Sequence, residues 1–265
     1  MKTVTSKDGT KIAYDQTGNG PTLILVGGMF EQRAFESDTA LLAVFPELKQ
    51  HFTVYHYDRR GRGDSGDTLP YAVQREVEDI EALIDAAGGS AFLSGISSGA
   101  SLAFEAALAL DGKVKKVALY DPPYNDDPDA RASWKQFRTQ LQTALNEGRG
   151  GDAVGLFMLQ TGMPAEHLDG MRQIPMWPLL EAVAPTIAYD AAAVGDEAAV
   201  PAERASTLRI PALVINGGES YPFMPESGKR LAKAIPHAEY RVLEGQTHEV
   251  RPEALAPLLI KFFEG

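Results

Sequence analysis

Two adjacent serines stand between glycines in the segment GISSG, residues 95–99. The apolar run SAFLSG leads into this segment and the small-residue stretch SGASLAFEAALAL continues from it, which predicts a strand, a sharp turn and a helix. Such a turn lifts a serine hydroxyl clear of the backbone, and the flanking glycines leave room for the bend. The spacing Gly-x-Ser-x-Gly makes Ser97 the candidate nucleophile. Ser98 is expected to contribute its backbone N–H, not its hydroxyl, to an oxyanion hole at the N-terminus of the helix.

A serine needs a base within hydrogen-bond reach to act as a nucleophile at neutral pH. His248 lies in EGQTHEV, a polar loop between the last predicted strand and the last predicted helix. Active sites of open α/β folds form where the carboxyl ends of parallel strands meet, so we expect Ser97 and His248 at the same edge of the sheet. The other histidines lie in predicted strand segments or in the middle of the chain, at positions 51, 56, 167 and 237.

Strands and helices alternate along most of the chain, after a hairpin predicted at Asp8-Gly9. The predicted strands are 21–28, 51–58, 90–95, 113–121, 210–217 and 238–245, and the predicted helices are 71–89, 98–110, 225–235 and 252–263. This alternation indicates an α/β fold with a mostly parallel sheet of about eight strands and helices on both faces. Residues 122–206 lack a clear strand. We expect them to form a helical cap inserted into a core made of residues 1–121 and 207–265.

Seven segments of the chain, in this order, resemble the α/β-hydrolase superfamily: PTLILVGG, YDRRGRGDSGD, GISSG, VALYDPP, the helical insertion, PALVINGGES and GQTHEV. The resemblance implies the α/β-hydrolase fold and an esterase-like serine hydrolase with a Ser-His-acid triad. YDRRGRGDSGD is similar to the arginine-rich loop of such enzymes, which we interpret as structural. Where the family often has His-Gly before its oxyanion loop, this chain has Gly27-Gly28. The resemblance makes the next residue, Met29, the second oxyanion N–H donor.

The acid of the triad has two candidates. Family members commonly carry an aspartate shortly after the strand that corresponds to PALVING, but the loop here reads GESYPF and contains Glu219. Some relatives carry the acid at the end of the earlier strand, where this chain has Asp121 followed by two prolines. Asp121 is favoured, and Glu219 is the alternative. Either residue keeps the order Ser, acid, His that is typical of the fold.

Methionines and aromatic residues are concentrated in the insertion and in loops predicted at the same sheet edge. They are Met158, Met163, Met171, Met176, Trp134, Phe137, Phe157 and Trp177 in the insertion, and Met29, Phe30, Phe223 and Met224 in the loops. Those that face the cleft would make an apolar, adaptable pocket, while others would form the core of the insertion. We therefore expect an uncharged, partly hydrophobic ester or lactone. The alternatives are a carbon–carbon bond hydrolase on the same triad and a ligand-binding or degenerate member without turnover.

The composition limits the classes of partner. A formal net charge of −11 disfavours nucleic-acid binding. The chain has no cysteine, which excludes disulfides, thiolate metal sites and cysteine nucleophiles. The predicted chemistry requires neither a metal nor an organic cofactor. The first residues contain no signal-peptide pattern and no apolar run is long enough to span a membrane, so we expect a cytoplasmic monomer or homodimer acting on a small molecule.

Overall fold

The computed structural model describes residues 1–33 and 45–265. The strands are β1 (Lys2–Thr5), β2 (Lys11–Thr17), β3 (Thr22–Val26), β4 (Thr53–Tyr57), β5 (Ala91–Ile96), β6 (Val114–Tyr120), β7 (Ala212–Gly217) and β8 (Ala238–Leu243). They form one eight-stranded sheet in the order β1-β2-β4-β3-β5-β6-β7-β8. Strand β2 is antiparallel to β1 and β4, and the remaining neighbours are parallel. The predicted α/β fold class is confirmed.

The described helices lie on both faces of this sheet or between β6 and β7. They are α1 (Phe45–Leu48), α2 (Val73–Ala86), α3 (Ser98–Ala109), α4 (Pro128–Asn146), α5 (Gly150–Gln160), α6 (Leu168–Met171), α7 (Trp177–Ala182), α8 (Ile187–Val194), α9 (Ala202–Ala205), α10 (Met224–Ala234) and α11 (Pro252–Glu264). Helices α2, α3 and α10 contribute to the core on one face, and α1 and α11 to the core on the other. No helix among the described residues is both long and apolar enough to cross a membrane.

The middle strands are buried on both faces, which explains their continuous apolar sequences. Strand β7 is buried at every position, and β3 at all but its first residue. Strand β8 lies at the edge of the sheet and has no fully buried position. At the opposite edge, β1 and β2 form the predicted hairpin around Asp8-Gly9, with Ser6 N–H donating to Thr10 O at 2.8 Å. The parallel strands therefore direct their carboxyl ends, and the loops that follow them, to one side.

Helices α4 to α9 occupy the connection between β6 and β7. Residues 121–211, all of which the structure describes, contain no strand. The insertion has a hydrophobic cluster of its own that includes Phe137, Trp177 and Ile187. The start of helix α4 is fixed by an N-cap: the Asp127 carboxylate accepts from the N–H groups of Asp129 and Ala130. Proline occupies the first position of the helix, where its missing N–H costs no hydrogen bond. The boundaries of a separate cap, 122–206, stay a prediction.

Candidate active site

Ser97 lies on the tight turn between β5 and α3. Its backbone is in the left-handed region, at φ 54° and ψ −129°, which is strained for a residue with a side chain. Both flanking glycines are required by close backbone contacts. A Cβ on Gly99 would lie 2.3 Å from the carbonyl oxygen of Val26, and a Cβ on Gly95 would lie 2.4 Å from the carbonyl oxygen of Gly99. The turn can therefore form only with glycine at these two positions.

His248 and Asp121 meet at the carboxyl edge of the sheet. Asp121 directly follows β6 and is fully buried, and its Oδ2 lies 3.0 Å from Nδ1 of His248. The carboxylate accepts, so this nitrogen carries the hydrogen and Nε2 keeps the lone pair that a base needs. Glu219 is exposed, and among the described contacts its side chain makes none with His248. The structure thus places Asp121, not Glu219, against the histidine.

The buried carboxylate of Asp121 has three further donors. Asn216 Nδ2 donates to Oδ1 at 2.8 Å, and the backbone N–H of Gly217 donates to the same oxygen at 3.2 Å. Ser220 Oγ donates to Oδ2 at 2.6 Å. These neutral groups compensate for the water that Asp121 loses on burial. Neither Asn216 nor Ser220 was identified from the sequence, although Asn216 lies near the end of the neighbouring strand β7 and Ser220 in the loop that follows it.

The loop that carries His248 is fixed by β6 and β7. The hydroxyl of Tyr120 donates to the carbonyl oxygen of Thr247 at 2.5 Å. A Cβ on Gly217 would lie 2.7 Å from that same oxygen, so the last residue of β7 must be small for the loop to approach. The ring of Tyr221 meets the imidazole edge to face, with 5.4 Å between ring centroids. The imidazole is therefore oriented from several sides and is 27% exposed.

The loop after β3 faces the tight turn that carries Ser97, which we call the elbow. A Cβ on Gly28 would lie 3.3 Å from Cβ of Ser97, so the two segments are in close contact. The N–H of Gly28 donates to Glu31 Oε2 at 2.6 Å. A Cβ on Gly27, where the family often has histidine, would lie 3.0 Å from Glu31 Oε2. Glu31 thus occupies space beside the elbow that a larger residue at position 27 would need, and the sequence analysis did not identify it.

The hydroxyl of Ser98 has a partner that the sequence analysis did not predict. Ser98 Oγ donates at 2.7 Å to Oδ1 of Asp190, a fully buried residue of α8. Arg59 and Arg62 also bind the carboxylate of Asp190. Burial alone would raise the pKa of Asp190, but the two guanidinium groups and the Ser98 hydroxyl outweigh it and the pKa is lowered.

The arginines of YDRRGRGDSGD are almost completely buried, and each has acidic partners. Arg59 binds the two oxygens of Glu76 at 2.7 and 2.8 Å, and Arg60 binds those of Asp79 at 2.7 and 2.8 Å. Arg62 binds Asp190 and also donates from Nη1 to the carbonyl oxygen of Gly28 at 2.6 Å. The loop is therefore held in place by buried ion pairs, and one of its arginines also reaches the loop after β3.

These elements enclose a cavity of about 670 Å³. Ser97, His248 and Met29 all line it. The non-glycine residues with positive φ in the described part of the chain are Phe30, Ser97, Asp121 and Ala198. Ser97 and Ala198 line the cavity, Phe30 adjoins Met29, and Asp121 binds His248. Backbone strain is therefore concentrated at this site, as is common at functional sites.

Part of the predicted apolar set lines the cavity: Met29, Trp134, Phe157, Phe223 and Met224. Phe137 and Trp177 instead belong to the core of the insertion, and Met176 is 39% exposed. Polar groups are also present, among them Asn125, Glu31 and Glu249. Among the described lining residues, His248 alone can carry a positive charge. No cluster of three or more His, Asp or Glu side chains in residues 1–33 and 45–265 is arranged to hold a metal ion.

Comparison with known proteins identifies the family. The chain belongs to the alpha/beta hydrolase family, whose model matches residues 23–258. The crystal structure of an alpha/beta hydrolase from Sphaerobacter thermophilus is similar over 99% of this chain and 100% of that one, with 46% identity and a TM-score of 0.85. An enol-lactonase from Burkholderia xenovorans shares the fold at 21% identity and a TM-score of 0.72, with 100% of each chain covered.

One curated protein matches this chain over only part of its length. A probable alcohol acetyltransferase from Wickerhamomyces anomalus is 24% identical over 157 residues, which are 54% of this chain. The match spans 45% of the length of that protein, so this chain corresponds to less than half of it. Family membership supports a hydrolase.

Proposed function

We propose that this protein is a serine hydrolase that cleaves an uncharged, partly hydrophobic ester or lactone through an acyl-enzyme on Ser97. The observation that carries the proposal is the arrangement around one cavity of a strained serine and of a histidine bound by a buried aspartate. The catalytic groups are Ser97 as nucleophile, His248 as base and Asp121 as the carboxylate of the triad. Met29 and Ser98 supply the oxyanion N–H groups.

The reaction follows the serine-triad sequence. Oγ of Ser97 attacks the carbonyl carbon while Nε2 of His248 takes its proton, and the negative charge forms on the carbonyl oxygen between the two N–H groups. The imidazolium then protonates the leaving alcohol, and the acyl-enzyme remains. His248 next takes a proton from water, which attacks the acyl carbon. The bond between the acyl carbon and Ser97 Oγ then breaks, the imidazolium returns its proton to Oγ, and the acid is released. Asp121 orients the imidazole and stabilises its positive charge in both steps.

The charge of the cavity supports an uncharged substrate. Glu31 and Glu249 line it, and the described lining residues include no lysine or arginine. Residues 34–44, outside the described part, have the sequence AFESDTALLAV and cannot supply a cation either. A carboxylate on the substrate would lose water without gaining a lysine or arginine as its partner. Apolar contacts with Trp134, Phe157 and Met224 fit an acyl or alcohol group without charge.

A fluorophosphonate probe tests the nucleophile. The native protein should be labelled at Ser97, and Ser97→Ala should not be labelled at all, because the probe forms its bond with an activated serine hydroxyl. Glu219→Gln is the matched control and should be labelled like the native protein. The absence of labelling in the native protein would instead support a ligand-binding member without turnover.

A matched pair of esters tests the substrate class. Para-nitrophenyl butyrate and mono-para-nitrophenyl succinate are similar in size, but only the second carries a carboxylate. We expect kcat/KM to favour butyrate by about tenfold or more, since a buried group without a partner is costly. A preference for the succinate would contradict the assignment of an uncharged substrate.

A further inference from the structure

The peptide unit between Gly28 and Met29 is fixed on its carbonyl side by a buried arginine. Arg62 Nη1 donates to the Gly28 oxygen at 2.6 Å and lies 3.5 Å from the carbonyl oxygen of Glu31. In a planar trans peptide the C=O and the N–H point in opposite directions. The Met29 N–H is therefore directed away from Arg62. Gly28 and Met29 line the cavity, whereas Arg62 does not.

The remaining nitrogens of Arg62 bind the insertion. Nε donates to Thr186 Oγ1 at 3.0 Å, and Nη2 binds Asp190 in α8. All three nitrogens of this fully buried side chain thus have acceptors, which allows the guanidinium a single orientation. A lysine keeps the charge but cannot donate in three fixed directions.

The second oxyanion donor is tied to the same carboxylate. Ser98 is the first residue of α3, where backbone N–H groups have no acceptor within the helix. Its hydroxyl donates to Asp190 Oδ1 at 2.7 Å, while Oδ2 of Asp190 is bound by Arg62. Asp190 is therefore joined to Ser98 directly and to the Gly28–Met29 peptide through Arg62.

We propose that Arg62 and Asp190 are positioning residues that hold the N–H groups of Met29 and Ser98 in the geometry of an oxyanion hole. Helix α8 of the insertion is then part of the catalytic apparatus as well as a wall of the cavity. The inference depends on the proposed serine hydrolase activity. An oxyanion hole stabilises the transition state only where its donors are already in place, so loss of this support lowers kcat more than it changes KM.

The loop before α2 offers a matched control for the loss of a buried guanidinium. Arg60 is as buried as Arg62 and binds Asp79 and Asp8 at 2.7 to 2.9 Å. Its other described acceptor is the carbonyl oxygen of Arg75, so none of its described hydrogen bonds reaches the loop after β3 or α8. Arg60→Lys therefore measures the effect of losing a buried guanidinium group that does not line the cavity.

The test compares Arg62→Lys with Arg60→Lys on para-nitrophenyl butyrate. We expect Arg62→Lys to lower kcat by about 10- to 100-fold with little change in KM, because displaced donors act like a partly lost oxyanion hole. Affinity for an alkyl boronic acid, which forms a tetrahedral adduct on the serine, should fall by a similar factor. Arg60→Lys should keep the native kcat and boronate affinity.

A second pair of variants avoids the buried charges. Ser98→Ala removes the hydroxyl bond to Asp190 but keeps the N–H, and it should lower kcat and boronate affinity several-fold at constant KM. Ser101→Ala, in the same helix and buried, is its control. Native kcat and boronate affinity in Arg62→Lys and Ser98→Ala would overturn this inference alone. A native protein that neither hydrolyses esters nor reacts with a fluorophosphonate would overturn the proposed function as well.

Discussion

Two fully buried carboxylates, Asp121 and Asp190, connect to the cavity through different partners. Asp121 accepts from an amide, a backbone N–H, a hydroxyl and the imidazole of His248. Asp190 accepts from the hydroxyl of Ser98 and is bound by two guanidinium groups. The first carboxylate is therefore surrounded by dipoles and the second by permanent positive charges.

This difference shows that burial of an acid does not by itself indicate its role. When arginines already neutralise a carboxylate, the electrostatic attraction that remains for a cation formed on a neighbouring group is weak. A carboxylate held by neutral donors can stabilise an imidazolium as soon as it forms. The partners thus distinguish a carboxylate suited to stabilising a charged histidine, Asp121, from one suited to holding segments together, Asp190.

The largest expected effect is on turnover in Asp121→Asn. This change keeps the size of the side chain but removes the charge, so kcat for a neutral ester should fall by about 10³- to 10⁴-fold, the order seen when serine triads lose this carboxylate. The free energy of unfolding in urea should change far less. Glu219→Gln, in the exposed loop after β7, should retain the native kcat. An equal loss in both variants would remove the distinction made for Asp121.

A large loss of stability, in addition to the loss of turnover expected for a positioning residue, is expected for Asp190→Asn. Two buried guanidinium groups, Arg59 and Arg62, would lose their shared counter-charge, and breaking such a buried pair costs about 3–5 kcal/mol. Urea unfolding at neutral pH measures this loss, and Asp121→Asn measured alongside serves as the comparison. If the Asp190 variant unfolds like the native protein, the two carboxylates do not differ in the way proposed.

The smallest expected effect is a pH dependence of the free energy of unfolding that comes from His56. Burial lowers the pKa of His56 from 6.5 to about 4. The unfolded chain therefore binds a proton between those values that the folded chain does not, and stability falls as the pH drops through this range. From pH 7 to pH 5 the contribution of His56 should decrease by about 2 kcal/mol.

The measurement is the free energy of unfolding at both pH values. His56→Gln should show a weaker pH dependence than the native protein, while His167→Gln, at an exposed position, should not. Parallel curves for all three proteins would mean that His56 is not the group responsible.

Sequence alone was sufficient where local rules decide the structure. Strands such as β3 and β7 are recognisable because both faces are buried, and the elbow because only glycine fits beside Ser97. The candidate base followed from the position of its loop at the carboxyl edge. The choice between Asp121 and Glu219 stayed open because it depends on how the loops after β6 and β7 approach His248.

Contacts distant in sequence could not be predicted. Ser98 and Asp190 are 92 residues apart, and Arg62 and Asp190 are 128 apart. Nothing near Ser98 in the sequence shows that its hydroxyl will bind a helix of the insertion. A charged residue in an alanine-rich helix, IAYDAAAV, was the one visible sign that this helix is fixed by a buried polar contact.

The position of Asp121 at the end of β6 has a consequence for how this protein can diverge. In the proposed triad the loop after β7 does not supply the acid, and Ser220 is the residue of that loop that donates to it. Phe223 in the same loop lines the cavity, and its described ring contact is with Tyr221. A substitution at Phe223 can therefore change which molecules fit the cavity while the proposed reactive groups keep their positions. Substrate preference could thus be engineered at this position separately from the chemistry.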